Sequence, residues 1–182
     1  CIDALKANIP LFVLLRGHYW SEINWNKKTI YKSLPKRIAL LQWDKLGKEI
    51  FNGATAILPI CKYLEKITNK FVPGKSTNVF SEGVDASRWY QVKGMNLKHP
   101  CVGLLQRASW WGKTSEMLIL KKVLEKMPSV NFYWAGDGPL RERVLSELDK
   151  YDNFHWLGSL EYPDKVREFL TEIDVYALIS GI

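Results

Sequence analysis

The chain has 182 residues, 47% apolar and 25% charged, with a formal net charge of +7. These proportions fit an ordinary globular chain of one large domain or parts of two. No run approaches the roughly 18 consecutive apolar residues of a membrane-spanning helix, and the positive excess points to anionic partners: nucleotides, phospholipid surfaces or nucleic acid.

The first residues, Cys1 to Lys6, carry no initiator methionine and no signal-peptide pattern, and read as the tail of a helix. Pro10 to Arg16 is a continuous apolar run that predicts a buried strand of the parallel type. His18 follows it directly. A long stretch over 29–52, with basic and apolar faces, predicts a helix broken at Pro35. The basic, tryptophan-containing stretch from Trp25 to Lys48 could form a membrane-surface helix. The favoured reading turns Ile38, Leu41, Leu46 and Ile50 to the protein core and leaves the cations solvated. Ala54–Pro59 predicts a second strand, 61–68 a short helix, and Ser76–Phe80 a third strand. The polar, irregular segment 86–99 reads as an inter-domain linker.

The second half alternates more clearly. Cys101–Leu105 predicts a strand. A helix from about 114 has an apolar face of Leu120, Val123, Leu124 and Met127. Strands follow at 130–135, 154–157 and 174–179. Helices begin near Pro139, suited to a first helical position, and near Pro163. The alternation implies an α/β chain with parallel sheets flanked by helices. The three cysteines, Cys1, Cys61 and Cys101, match no zinc or disulfide spacing, and the histidines do not pair with them at metal-ligand spacing. A reducing, cytoplasmic setting fits.

Chemistry concentrates where the strand ending at Arg107 meets the helix carrying Lys113. Two cations at the carboxyl end of a strand and at a helix start favour an anion such as a diphosphate. Solvated loop cations are the bland alternative. Gly136 and Gly138 flank a tight strand-to-helix turn that permits close backbone approach. His18, just past a strand end beside Gly17, is either a functional or a structural histidine.

The order of these segments resembles the group 1 (family 4) retaining glycosyltransferases of GT-B fold. Val102-Gly-Leu-Leu-Gln-Arg107 with Gly112-Lys113 is similar to a family element of arginine then lysine, with the Gly-Lys order reversed. Ala135-Gly-Asp-Gly-Pro-Leu-Arg141 resembles its glycine-rich turn. Asn153–Gly158 and the stretch from Val166 to Ser180 resemble its next strand and helix-strand elements. Upstream, Ala54–Leu64 and Ser81-Glu-Gly-Val-Asp85 resemble the end of its first domain, with Glu82 a departure. Val13–His18 occupies the place of its histidine loop.

The resemblance implies two Rossmann-like domains. Residues 1–95 would be the C-terminal part of the acceptor-side domain, and 96–182 the N-terminal part of the nucleotide-sugar donor-binding domain. The chain is expected to be the middle of a longer protein, with the family's paired glutamates falling beyond Ile182. Arg107 and Lys113 would bind the donor diphosphate. Gly136, Gly138 and the loop after Gly158, Leu160 above all, would approach the nucleotide. His18 would act near the transferred sugar across the inter-domain cleft. The implied reaction moves a sugar from a nucleotide-diphosphate donor to a glycan or lipid-linked acceptor, with retention and without a metal or other cofactor, in polysaccharide biosynthesis. The expected location is cytoplasmic, with peripheral contact at the inner membrane face through the basic 27–48 stretch. The fragment alone is expected to be inactive. The alternative is a catalytically silent nucleotide-binding or interaction module of the same fold. A nucleic-acid-binding role has no motif behind it, and nucleic acid is not an expected partner.

Overall fold

The structure is a computed structural model that describes residues 1–28 and 31–179. Residues 29–30 of the expected long helix, and the expected strand end at Ser180 together with Ile182, lie outside the described residues. The chain divides into two compact units, Cys1–Val84 and Asp85–Ile182. Residues 85–95, placed before the domain boundary by sequence, belong by their contacts to the second unit.

The first unit orders α1 (Ile2–Lys6), β1 (Phe12–Leu15), α2 (Tyr19–Lys28), α3 (Leu34–Gly53), β2 (Ala56–Pro59) and α4 (Lys62–Phe71). β1 and β2 pair in parallel, Phe12 opposite Ala56 and Leu15 opposite Pro59. Leu15, Trp20, Phe51, Ile57 and Leu64 form the core. Trp20 stacks on Phe71 at 4.6 Å and on Phe51 at 5.2 Å between ring centres.

Three expectations fail here. β1 is not buried on both faces: Phe12 and Leu14 are exposed, because only β2 pairs with it among the described residues. Ser76–Phe80 is not a strand. It follows β2 with backbone bonds such as Asn78 N–H to the Ile57 carbonyl at 3.3 Å, but forms a single isolated bridge, Ile57 with Thr77. Pro35 does not break a helix but sits in the first turn of α3, where its missing N–H costs nothing.

A fourth correction concerns the facing of α3. Ile38, Leu41 and Leu46 are exposed, and the buried positions are Leu40, Gly47 and Phe51. Gly47 sets this phase. A Cβ there would lie 2.0 Å from the Tyr19 hydroxyl oxygen, and that hydroxyl donates to the Trp43 carbonyl at 3.0 Å. A glycine on the packed face carries no apolar signal, so apolar periodicity points to the wrong side of the helix.

The second unit orders β3 (Cys101–Leu105), α5 (Trp111–Glu116), α6 (Leu120–Lys126), β4 (Asn131–Ala135), α7 (Arg141–Leu148), β5 (Phe154–Gly158), α8 (Asp164–Glu172) and β6 (Val175–Tyr176). The sheet order is β5-β4-β3-β6, and every pairing is parallel. Side chains alternate across β4. Phe132 and Trp134 enter a core with Met117, Leu120, Leu124, Val144 and Leu148. Tyr133 and Ala135 face Phe169 of α8. Helices therefore cover both faces, as expected. The helix after Arg107 starts at Trp111, earlier than its apolar pattern, and Met127 of the predicted apolar face is exposed at its end. α7 begins at Arg141, so Pro139 belongs to the preceding turn. β6 is two residues, shorter than the run 174–179. The segment read as a linker packs on this unit through Met95 and Leu97.

Candidate functional site

The carboxyl ends of β3, β4 and β5 open on a cleft of about 500 Å³. Arg107, Gly136, Gly138 and Leu160 all line it, with Gln106 and Asp137 beside them. Four residues singled out by sequence therefore share one concavity, at the strand ends where open α/β sheets bind ligands.

The floor of the cleft is three backbone segments in contact, those that end β3, β4 and β5. Gln106 N–H donates to the Ala135 carbonyl at 3.1 Å, Ala108 N–H to the Asp137 carbonyl at 3.0 Å, and Gly136 N–H to the Gly158 carbonyl at 2.7 Å. Trp134 Nε1 donates to the Gln106 carbonyl and Trp156 Nε1 to the Gly136 carbonyl, both at 2.8 Å. A Cβ on Gly136 would lie 2.0 Å from the Gln106 oxygen, and one on Gly138 2.5 Å from the Ala108 oxygen. Only glycine permits this approach.

The cleft holds charges of both signs. Arg107 is exposed, and among the described residues no ion pair or hydrogen bond engages its guanidinium. Asp137 Oδ1 accepts the Gly138 N–H at 2.6 Å and meets Arg141 Nη1 at 3.4 Å. Arg141 also stacks over Trp156, 5.0 Å from the ring centre, and Glu142 and then Asp137 raise its pKa. Lys113 is not among the lining residues. It projects from α5 over the Trp110 ring at 6.0 Å, and its carbonyl accepts Gln106 Nε2–H at 3.0 Å. Sequence reasoning passed over Gln106, Asp137 and Arg141. The spacing of Asp137 and Arg141, four residues apart across a helix start, was the available signal.

His18 lies in the first unit between β1 and α2. Its Nδ1 accepts the Ser21 N–H at 3.1 Å, and its carbonyl accepts the Glu22 N–H at 3.1 Å. The side chain thus caps α2. The neutral ring then carries its proton on Nε2. Trp20, Tyr63 and Phe71 surround it, each 6.2 Å away between ring centres.

A second polar cluster sits at the amino end of the second sheet. His99 Nδ1 is 2.9 Å from Asp174 Oδ2, and its Nε2 is 3.0 Å from Glu172 Oε1. Cys101 N–H donates to Asp174 Oδ2 at 2.7 Å, and Cys101 Sγ is 3.7 Å from His99 Nδ1. Hydrogen bonds from Glu172 and then Asp174 raise the His99 pKa. The same bond lowers that of Glu172, while the Cys101 N–H and then His99 lower that of Asp174. Burial raises that of the Cys101 thiol. Sequence spacing does not reveal this group, because Asp174, which joins His99 and Cys101, lies 73 residues beyond Cys101.

No protein-family model matches the chain, and no curated protein matches it. Among solved structures, a crystal structure of a mutant of S. aureus TarM, in complex with fondaparinux, alpha-GlcNAc-glycerol and UDP, is similar to it. The TM-score is 0.54 over 69% of this chain, at 14% sequence identity. The fold is of the GT-B glycosyltransferase type. The chain spans 26% of the TarM chain's length, and at this identity the likeness speaks for the fold. No helix among the described residues is long and apolar enough to cross a membrane.

Proposed function

We propose that the second unit binds the nucleoside diphosphate of a nucleotide-sugar donor, as part of a retaining glycosyltransferase that builds a glycan or glycolipid. The cleft that gathers Arg107, Gly136, Gly138 and Leu160 carries this reading. Its volume falls in the range of small-molecule sites. Departure of the diphosphate concentrates negative charge on the leaving group, and an unengaged guanidinium at the cleft edge is suited to neutralise it. Lys113 would join it by swinging off Trp110, a modest cost for a long exposed side chain. His18, with Nε2 left to carry a proton, is the proposed group near the transferred sugar. The mechanism proposed needs no metal at the diphosphate.

The proposed setting is the cytoplasmic face of a membrane. Leu34, Ile38 and Leu41 of α3 are exposed beside Arg37, Lys45 and Lys48. A hollow of about 740 Å³ is bordered by Lys27, Lys32 and Arg37 with Leu40 and Leu41. Apolar residues ringed by cations suit anionic headgroups.

One observation favours a second reading, a nucleotide-free interaction module. The Asp137 carboxylate holds the Gly138 N–H that would otherwise face an anion. Calorimetric titration of the chain with nucleoside diphosphates, without added divalent cation, separates the two. Saturable binding that Arg107→Ala weakens more than tenfold supports the donor site. Absence of binding by every nucleoside diphosphate sinks it and leaves the module.

A further inference from the structure

Opposite the cleft, the amino ends of β3 and β6 bring a nitrogen, a sulfur and an oxygen donor together. His99 precedes β3, Cys101 is its first residue, and Asp174 immediately precedes β6. The parallel pairing of Val102 with Val175 fixes their proximity. The three donor atoms lie within 4.8 Å of one another.

A zinc-type ion holds nitrogen and oxygen at about 2.0–2.2 Å and sulfur at about 2.3 Å, so donor atoms around a tetrahedral ion stand roughly 3.3–3.8 Å apart. The separation of 3.7 Å between Cys101 Sγ and His99 Nδ1 already falls there. The 2.9 Å between Nδ1 and Asp174 Oδ2 is shorter, and the exposed Asp174 side chain can yield the difference by rotating. The other ring nitrogen supplies the independent observation. His99 Nε2 meets the Glu172 carboxylate at 3.0 Å, and Glu172 Oε1 is itself held by the Leu97 N–H at 3.3 Å. Metal-bound histidines use such a carboxylate to fix the tautomer and orient the ring. With Nε2–H on Glu172, the Nδ1 lone pair points to the space shared with Cys101 and Asp174.

We propose that His99 Nδ1, Cys101 Sγ and the Asp174 carboxylate bind one divalent transition-metal ion of the zinc class, with Glu172 as the orienting partner of His99. One nitrogen, one thiolate and one carboxylate form a borderline donor set suited to zinc and cobalt. Exposure of His99 and Asp174 provides the entry path and leaves a fourth position for water, while Cys101 is shielded at 1% exposure. On binding, the Cys101 thiol gives its proton to solvent and the metal takes the sulfur lone pair, so no oxidant or reductant is needed. The ion would tie the segment before β3 to the junction of α8 and β6. The proposal does not depend on the donor-site reading.

The test titrates Co²⁺ into the chain carrying Cys1→Ser and Cys61→Ser, which removes the two exposed thiols. The expected result is one ion per chain, with thiolate-to-cobalt charge-transfer absorption, and a rise in Tm with Zn²⁺ that a chelator reverses. Asp174→Asn, which keeps an oxygen for the Cys101 N–H, should weaken binding at least tenfold with circular dichroism unchanged. If no thiolate band develops, or Asp174→Asn and His99→Ala leave binding unaltered, the cluster is an ionic clamp of one imidazolium between two carboxylates and the proposal is overturned. The spectrum of the protein with Cys101 intact decides this even if further variants fail to fold.

Discussion

At the carboxyl ends of β3, β4 and β5 the second unit leaves polar groups open to solvent, whereas at the amino ends it closes them on one another. Arg107 meets no partner in the cleft among the described residues, and Asp137 is shared only with the Gly138 N–H and Arg141. At the other end His99, Glu172, Asp174 and the Cys101 and Leu97 N–H groups form one connected network. The difference teaches how one sheet separates two tasks. The open end is held by backbone packing and by the two indoles beneath it, Trp134 and Trp156, which leaves the Arg107 side chain available to a ligand. The closed end uses its side chains to hold the incoming segment, so few are left for a substrate.

The largest effects should come from breaking the backbone contact under the cleft. Gly136→Ala drives a Cβ onto the Gln106 carbonyl at 2.0 Å, with Trp134 Nε1 at 2.9 Å. Neither the carbonyl nor the indole can yield without loss of their 2.8 Å bond. The expected cost is about 3 kcal/mol or more in denaturant unfolding. Gly158→Ala is the control. Gly158 also has positive φ, +73°, but the nearest atom to its Cβ would be 4.0 Å away. Its cost should be limited to the left-handed backbone, about 1 kcal/mol. Equal losses at both positions would show that conformation, and not the close approach, maintains the open end.

Arg107→Ala should leave stability nearly unchanged, because the exposed side chain supports nothing in the fold. It should reduce affinity for a nucleoside diphosphate more than tenfold, about 1.4 kcal/mol. Asp137→Asn sharpens the comparison. The amide oxygen can still accept the Gly138 N–H, while the negative charge leaves the cleft. Tighter diphosphate binding is expected in the same titration, and weaker binding would mean that Asp137 orients the ligand.

How far this was legible in the sequence differs between the two ends. The run Cys101–Leu105, the glycines at 136 and 138 and the cation at Arg107 are local signals, and local signals place the cleft. The network around His99 joins residues 73 to 75 positions apart, and only the pairing of β3 with β6 reveals it. In the first unit, periodicity failed on α3 because the packed face is built around Gly47, which scores as neither apolar nor polar. It failed at Ser76–Phe80 because three apolar or β-branched residues suffice to suggest a strand, but this run gains only one bridge to β2. Lys113 was grouped with Arg107 by spacing, yet α5 begins early enough to carry it over Trp110.

The closed end should also respond to pH. His155 on β5 stacks on Tyr133 at 4.7 Å and shares Nε2 with Asn131 Oδ1 at 3.1 Å. Burial first, and the charge of Lys98 second, lower its pKa from the ordinary 6.5. The fold therefore prefers the neutral ring. Its contribution is complete above the unfolded value near 6.5 and is lost as pH falls below that toward the folded value. Below pH 6.5 this lowers Tm, while the raised pKa of His99 acts in the opposite sense, so the expected outcome is read as a difference: His155→Gln should lose less stability on acidification than the unaltered protein. An equal loss in the two would assign the acid sensitivity elsewhere.

The smallest expected effect tests whether a strand's carboxyl end can be closed and still serve chemistry. His18 follows β1 and spends Nδ1 on the Ser21 N–H. His18→Ala removes that cap and should cost about 1 kcal/mol, the usual worth of a helix cap. His18→Asn restores an acceptor near the same place, and stability should return with it. Sugar transfer by an enzyme containing this chain then distinguishes the two roles. If His18 only caps α2, asparagine restores transfer along with stability. If Nε2 serves the transferred sugar, asparagine restores the fold and transfer remains depressed, because its amide has no group at the Nε2 position.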